Sequence, residues 1–259
     1  MRIIISPAKK MNDNGDTLEY HQMPQFMKET EHLLDYLRTL NYTELKSIWK
    51  CNDSIAEQNY HRIQHMDLYK NLTPAILSYE GIQYKYMAPA VFEEGQLEYL
   101  EEHLRILSGF YGILRPFDGV TPYRLEMQAA LKNWNTKSLY QFWQDNLAKD
   151  LLSQSDCIVN LASKEYSKGI SPYLKKGTKF ITCAFVEEHN GKMVEKGTYA
   201  KMARGEMVRF MAEENIKSIE GVKSFNRLNY AFAPEWSDEN TYVFIKNREV
   251  VLDALLHPT

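Results

Sequence analysis

The sequence predicts a mixed α/β fold: one compact domain over residues 1–259, a mixed sheet flanked by helices. Three observations lead there. Short apolar, β-branched runs closed by polar turns, RIIIS at Arg2–Ser6 and CIVNLA at Cys157–Ala162, have the length and composition of buried strands. Longer stretches space their apolar residues for one helical face, as Phe26, Met27, Leu33, Leu34, Leu37 and Leu40 do. The two kinds are interspersed without the regular βα alternation of a doubly wound sheet, and no repeat, low-complexity tract or linker divides the chain.

In order, Arg2–Ser6 is a strand that Pro7 ends. Helices follow over Pro24–Leu40, from Thr43 past Ile48, and over Asp53–Tyr69, all amphipathic. Pro74–Tyr86 is ambiguous, with room for a short strand in ILSYEGIQYKYM. Glu93–Leu107 reads as a helix because Leu97, Leu100, Leu104 and Leu107 share a face, and Ser138–Leu152 as another, rich in aromatics. Thr178–Glu187 and Met193–Tyr199 read as a hairpin about Asn190-Gly191, a pair suited to a tight turn. Lys201–Lys217 is helical, and Ser224–Ala233 and Tyr242–Lys246 are closing strands.

With 44% hydrophobic and 25% charged residues, the 259-residue chain has the make-up of a globular protein with a sizeable core. No apolar run reaches the ~18–20 residues of a membrane span, and MRIIISPAKK lacks a signal peptide's long apolar stretch, so a cytoplasmic location without membrane contact is expected. Three scattered cysteines imply no disulfide framework; Cys157 and Cys183 sit among apolar neighbours and are expected to be inert. The net charge of −3 gives no global pull toward nucleic acid, but Asn160–Arg209 holds ten Lys/Arg against five Asp/Glu, consistent with a basic face or with solvated lysine loops.

The chemistry-bearing stretches lie between these elements. In HLRILSGFYGILRP, Gly109 and Gly112 sit three apart between Arg105 and Arg115. Glycines there could let backbone N–H groups approach a phosphate, as in a helix-hairpin-helix; the alternative is a helix C-cap glycine and a tight turn. In PYRLEM, Arg124 and Glu126 are two apart and point the same way in extended chain, as an ion pair or as ligand-orienting groups. ISPAK and NLASKEY each follow a strand, so Ser6, Lys9, Asn160, Ser163, Lys164, Glu165 and Tyr166 meet in one cleft if the two strands are parallel neighbours. YAKMARG puts Lys201 and Arg204 on one helical face, with Arg209 farther round. His61 and His65 have a chelating spacing, but Arg62 stands where a zinc protease has glutamate, and no metal site or cofactor is expected. The phosphate-binding P-loop, GxGxxG and GxSxG motifs are missing.

Together these stretches resemble the YaaA family of bacterial peroxide-stress proteins: ISPAK (Ile5–Lys9), LSGFYGILRP (Leu107–Pro116), PYRLEM (Pro122–Met127), LYQFW (Leu139–Trp143), NLAS-x-EY (Asn160–Tyr166), YAKMARG (Tyr199–Gly205) and the Phe225-Asn226 pair, in the family's order. The resemblance implies a cytosolic protein that helps cells survive hydrogen peroxide and limits free iron and iron-driven DNA damage. It further implies a family-specific single-domain α/β fold with a basic cleft and a helix-hairpin-helix element able to bind double-stranded DNA. That element maps onto Leu104–Arg115, while Met202 replaces a basic residue frequent in YAKKARG-like stretches.

Two functional readings follow. In the first, a non-enzymatic protein binds the backbone of double-stranded DNA with little sequence preference through Arg105, Arg115, Lys164, Lys168, Lys201, Arg204 and Arg209, with Gly109 and Gly112 permitting close approach. In the second, an enzyme takes an anionic small molecule at the strand ends, with Glu126 or Glu165 as base and Lys9, Arg124 and Lys201 as clamp beside Asn160. The second reading requires Lys9, Arg124, Asn160 and Lys201 to converge. No ligand cluster suited to storing iron is recognisable at any spacing; direct sequestration requires that the purified protein retain iron, and the link to iron is indirect if it retains none.

Overall fold

Ile3, Ile4 and Ile5 are completely buried and form the middle of a sheet around which the chain is wound. The computed structural model describes residues 1–13, 18–131 and 134–247. The sheet contains β1 (Arg2–Ile5), β2 (Leu104–Ser108), β3 (Gly112–Leu114), β4 (Cys157–Asn160), β5 (Lys179–His189), β6 (Lys192–Val194), β7 (Tyr230–Phe232) and β8 (Thr241–Lys246). Its order is β7-β8-β5-β4-β1-β2-β3, with β6 paired to β5. The inner strands β2, β1, β4, β5 and β8 run parallel, while β3 and β7 are antiparallel edges. Continuous apolar runs such as RIII suit strands covered on both faces.

The helices are α1 (Met27–Thr39), α2 (Tyr42–Trp49), α3 (Asp53–His65), α4 (Ala75–Ser78), α5 (Ile82–Met87), α6 (Glu94–His103), α7 (Leu139–Trp143), α8 (Asn146–Gln154), α9 (Lys164–Ser167), α10 (Gly197–Glu213) and α11 (Ile219–Val222). One apolar core runs through them and the sheet, giving a compact mixed α/β domain among the described residues. Asn41 and Glu44 form a capping box that starts α2, and Asn52 caps α3 through the Ile55 N–H.

Several boundaries differ from the sequence reading. The helix expected to reach Leu107 stops at His103, because Leu104–Ser108 pairs with β1 in the register Ile3↔Leu104 and is buried throughout. Leucines spaced for a helix also fill a doubly covered strand, and tertiary pairing decides between them. LSGFYGIL is accordingly a β-hairpin joining β2 and β3, not the expected helix-hairpin-helix. Gln144, at positive φ, divides the helix expected over Ser138–Leu152 into α7 and α8. The chain after β6 enters α10 at Gly197 rather than continuing as a strand to Tyr199, and only Tyr230–Phe232 of Ser224–Ala233 is a strand. The β5–β6 turn does use Asn190 and Gly191, both at positive φ.

The hairpin is built inward. The Ser108 hydroxyl accepts the N–H groups of Phe110 and Tyr111 and pairs with the Tyr123 hydroxyl at 2.6 Å. Trp143 is buried on the turn and donates its indole N–H to the Gly109 carbonyl at 3.0 Å. A Cβ on Gly109 would lie 2.5 Å from the Leu125 carbonyl oxygen, so this glycine admits protein backbone.

The longest helix, α10, lies on α5 at a distance only glycine allows: a Cβ on Gly205 would sit 2.0 Å from the Gln83 carbonyl oxygen. Because backbone cannot give way as a flexible side chain does, Gly205→Ala is expected to lose about 1–3 kcal/mol of stability, read from urea unfolding. An unchanged midpoint would show that the helices separate freely.

Candidate functional site: a polar cavity at the strand ends

β1 and β4 are parallel neighbours in the register Ile4↔Asn160, so the segments leaving them emerge side by side. The Ser6 hydroxyl accepts the Ser163 N–H at 2.8 Å and lies 3.2 Å from the Ser163 hydroxyl, joining the two exits. Asn160, buried below them, receives the Ala162 N–H on its side-chain oxygen and donates its amide to the Thr182 hydroxyl. On the other side, the Tyr84 hydroxyl and the Gln83 amide both donate to the Ser6 carbonyl, drawing α5 over the exit of β1.

These segments, the 123–126 stretch and α10 enclose a cavity of about 370 Å³. Lys9, Arg124, Glu126, Glu165, Lys201 and Arg204 all line it. Glu126 is the hub, 2.8 Å from Lys9 Nζ and 3.2 Å from an Arg124 η nitrogen. Arg204 is held by Glu195, which lies outside the lining, at 3.0 Å, and its side chain is only 12% exposed. The Nε–H groups of Arg124 and Arg204 are buried and find no partner among the described residues. Burial raises the Glu165 carboxyl above the usual range; the nearby Glu126 adds to this, while the Gln128 N–H and Lys9 oppose it. The arrangement can clamp an anion and exchange a proton beside it.

The chain shares 54% identity with a UPF0246 protein of Agathobacter rectalis, over 94% of this chain and 98% of that one. It is equally similar, at 54%, to a UPF0246 protein of Desulfitobacterium hafniense over 95% and 98%, and 52% identical to one of Pediococcus pentosaceus over 95% and 98%. Residues 1–236 match the model of the family described as peroxide stress protein YaaA. This chain belongs to the YaaA family.

The stretches that resemble the YaaA family divide by position. ISPAK, PYRLEM, NLASKEY and YAKMARG supply cavity wall; LSGFYGILRP and LYQFW form the packed hairpin and Trp143 support. Of the residues expected to converge for enzyme chemistry, Lys9, Arg124, Glu126, Glu165 and Lys201 stand on the wall, and Asn160 braces it from below. Sequence reasoning missed α5: Ile82, Gln83 and Tyr84 form one side, in a segment whose secondary structure was ambiguous.

The residues expected on DNA do not form one surface. Lys164 and Lys168 are exposed on and just after α9, with Lys168 over the Tyr140 ring. Lys201 and Arg204 face the cavity, whereas Arg209 pairs with Glu213 at 2.8 Å and lies over Phe92. Arg105 is 5% exposed; it donates to the Gln154 side chain and to the Leu104 and Glu101 carbonyls, and burial pushes its guanidinium down to about 10. Arg115 hydrogen-bonds Gln22 at 2.7 Å and, with Arg105, borders a separate cavity of about 170 Å³ near Asp150 and Gln154. Gly109 and Gly112 are enclosed by Leu125 and Trp143.

Among the described residues, no group of three or more His, Cys, Asp or Glu could hold a metal ion. His61 and His65 stack on each other along α3. Cys183 is buried with its thiol pushed up to about 12, and burial also raises Cys157. No described helix is long and apolar enough to cross a membrane.

Asp118, behind the hairpin, accepts the Arg115 backbone N–H at 2.9 Å, yet burial pushes its carboxyl up to about 7 from 3.8. Below pH ~4 it is neutral in both folded and unfolded chains. Between ~4 and ~7 the unfolded chain has released the proton and the folded one holds it, so stability falls as pH rises through this window. Urea midpoints across that range should show a falling contribution in the native protein that Asp118→Asn removes; parallel profiles would place the ionised form at no disadvantage.

Proposed function

We propose that this YaaA-family peroxide stress protein acts in the cytoplasm on an anionic small molecule held in the cavity at the strand ends. One observation carries the reading: Lys9, Arg124, Glu126, Glu165 and Lys201, drawn from four separated stretches of the sequence, line the same cavity. Arg124, Arg204 and Lys201 supply the positive charge. Glu126 fixes Lys9 and Arg124, and the half-buried Glu165, whose carboxyl burial raises, is suited to give or take a proton. Charge-assisted bonds from preoriented guanidinium groups are stronger than neutral ones and suit phosphate or carboxylate.

With pyrophosphate as probe in calorimetry, Arg124→Ala or Lys201→Ala should weaken binding about tenfold, an energy of about 1.4 kcal/mol. Glu126→Gln should tighten it, because the carboxylate that competes for Lys9 and Arg124 is gone. Equal affinity in all three variants would remove the anion role of the cavity.

A second reading has the same rim hold the backbone of double-stranded DNA and so limit iron-driven damage to it. The observation favouring it is the exposure of Lys164 and Lys168 beside the cavity residue Glu165, with Lys201 also exposed. Each phosphate contact contributes about −0.9 to the slope of log affinity against log salt. Replacing Lys164 and Lys168 by Ala should therefore weaken duplex binding in fluorescence anisotropy and flatten that slope by about two. An unaltered slope would take these lysines off the backbone.

A further inference from the structure

We infer that the cavity takes one nucleotide unit, its phosphate on Arg124, Arg204 and Lys201 and its base on the apolar wall with an exocyclic amine directed to Glu165. This rests on the anion-binding reading above and names the class of ligand. Three features point to it.

First, the volume of about 370 Å³ falls within the roughly 300–1,000 Å³ of small-molecule sites and is more than an inorganic anion would fill. Second, the cations and the carbon surface are both built in. Arg124 and Arg204 are each tied by an η nitrogen to a glutamate, at 3.2 and 3.0 Å, and each keeps a buried Nε–H without a partner among the described residues. Pro7, Ala8, Ile82 and Leu125, with Tyr84 and Tyr166, supply the apolar wall, and Ile82 remains 40% exposed at it. An inorganic phosphate would leave this wall in water, whereas a planar heterocycle covers it.

Third, three carboxylates, Glu80, Glu126 and Glu165, line the same cavity as the arginines. They would repel a ligand carrying anions at both ends. A ligand that matches the whole lining is anionic at one end and donates hydrogen bonds at the other. Lys10 already engages Glu80, and Lys9 and Arg124 engage Glu126, which leaves Glu165, held by the Gln128 N–H at 3.2 Å, as the carboxyl for the donor edge. Adenine, cytosine and guanine present an exocyclic amine, and uracil does not. The nucleotide could arrive free or as an unstacked position in a strand, where a pocket reads a base in the same way.

The test is calorimetry of the full chain with AMP, CMP, UMP, adenosine, inorganic phosphate, pyrophosphate and a short single-stranded oligonucleotide. Expected is AMP or CMP binding at least about tenfold tighter than inorganic phosphate, adenosine or UMP. Glu165→Ala should erase the preference over UMP while leaving phosphate affinity in place, which also reports an intact fold. Arg204→Ala should weaken every phosphate-bearing ligand. An oligonucleotide binding tighter than AMP, with the same loss in Glu165→Ala, supports the unit being held within a strand; AMP binding as tightly supports a free nucleotide. Phosphate and AMP binding alike, both lost in Arg124→Ala, overturns the nucleotide and leaves the anion cavity standing. Absence of binding by every anion, pyrophosphate included, overturns both.

Discussion

The parallel pairing of β1 with β2 on one side and β4 on the other is the constraint on which the rest of the structure depends. Three buried isoleucines fix β1 in the sheet, and the register Ile4↔Asn160 brings the exits of β1 and β4 to one level. Two serines then join those exits, and the freed Ser6 carbonyl collects α5 through Gln83 and Tyr84. The close contact of Gly205 with Gln83 brings α10 against α5, and with it Lys201 and Arg204. Each step is a backbone constraint passed along, so the charged side chains are placed by main-chain geometry before their own interactions act.

The arginines of the 103–127 stretch divide by what surrounds them. Arg105 serves the carbonyls and Gln154 beside it in the core, Arg115 holds Gln22 and the turn at Asp118, and Arg124 alone reaches the cavity at the strand ends. Local concentration of charge along a chain thus says little about a common surface. A β-hairpin sends neighbouring residues to different sides, and a buried guanidinium with its five donors is well suited to satisfying carbonyls where a strand begins.

Much of the fold was legible because its signals are local. Strand β1, helices α1 to α3, the Asn190-Gly191 turn and α10 each carry their own period or turn chemistry. The cleft was legible too, since ligand sites in α/β sheets gather beyond the carboxyl ends of parallel strands; only the adjacency of β1 and β4 had to be supplied by the structure. What escaped is non-local. Leu104 and Leu107 fit a helix until β1 claims them as a strand. Tyr84 and Ile82 lie in a segment without a clear period, and their place is set by Ser6 and Gly205, both distant in sequence. Membership of the YaaA family was carried by short motifs, and most of those turn out to be cavity wall.

The cavity wall is assembled from five separated segments, near residues 6–10, 80–84, 123–126, 163–166 and 201–204. Contacts of such wide sequence separation require long loops to close, so the site exists only where all five segments have been brought together. A molecule that fits it recognises the finished tertiary structure and none of its precursors. Its binding therefore stabilises the folded state alone, by an amount that grows with its concentration relative to Kd, and occupancy becomes a measure of how much of the population has matured.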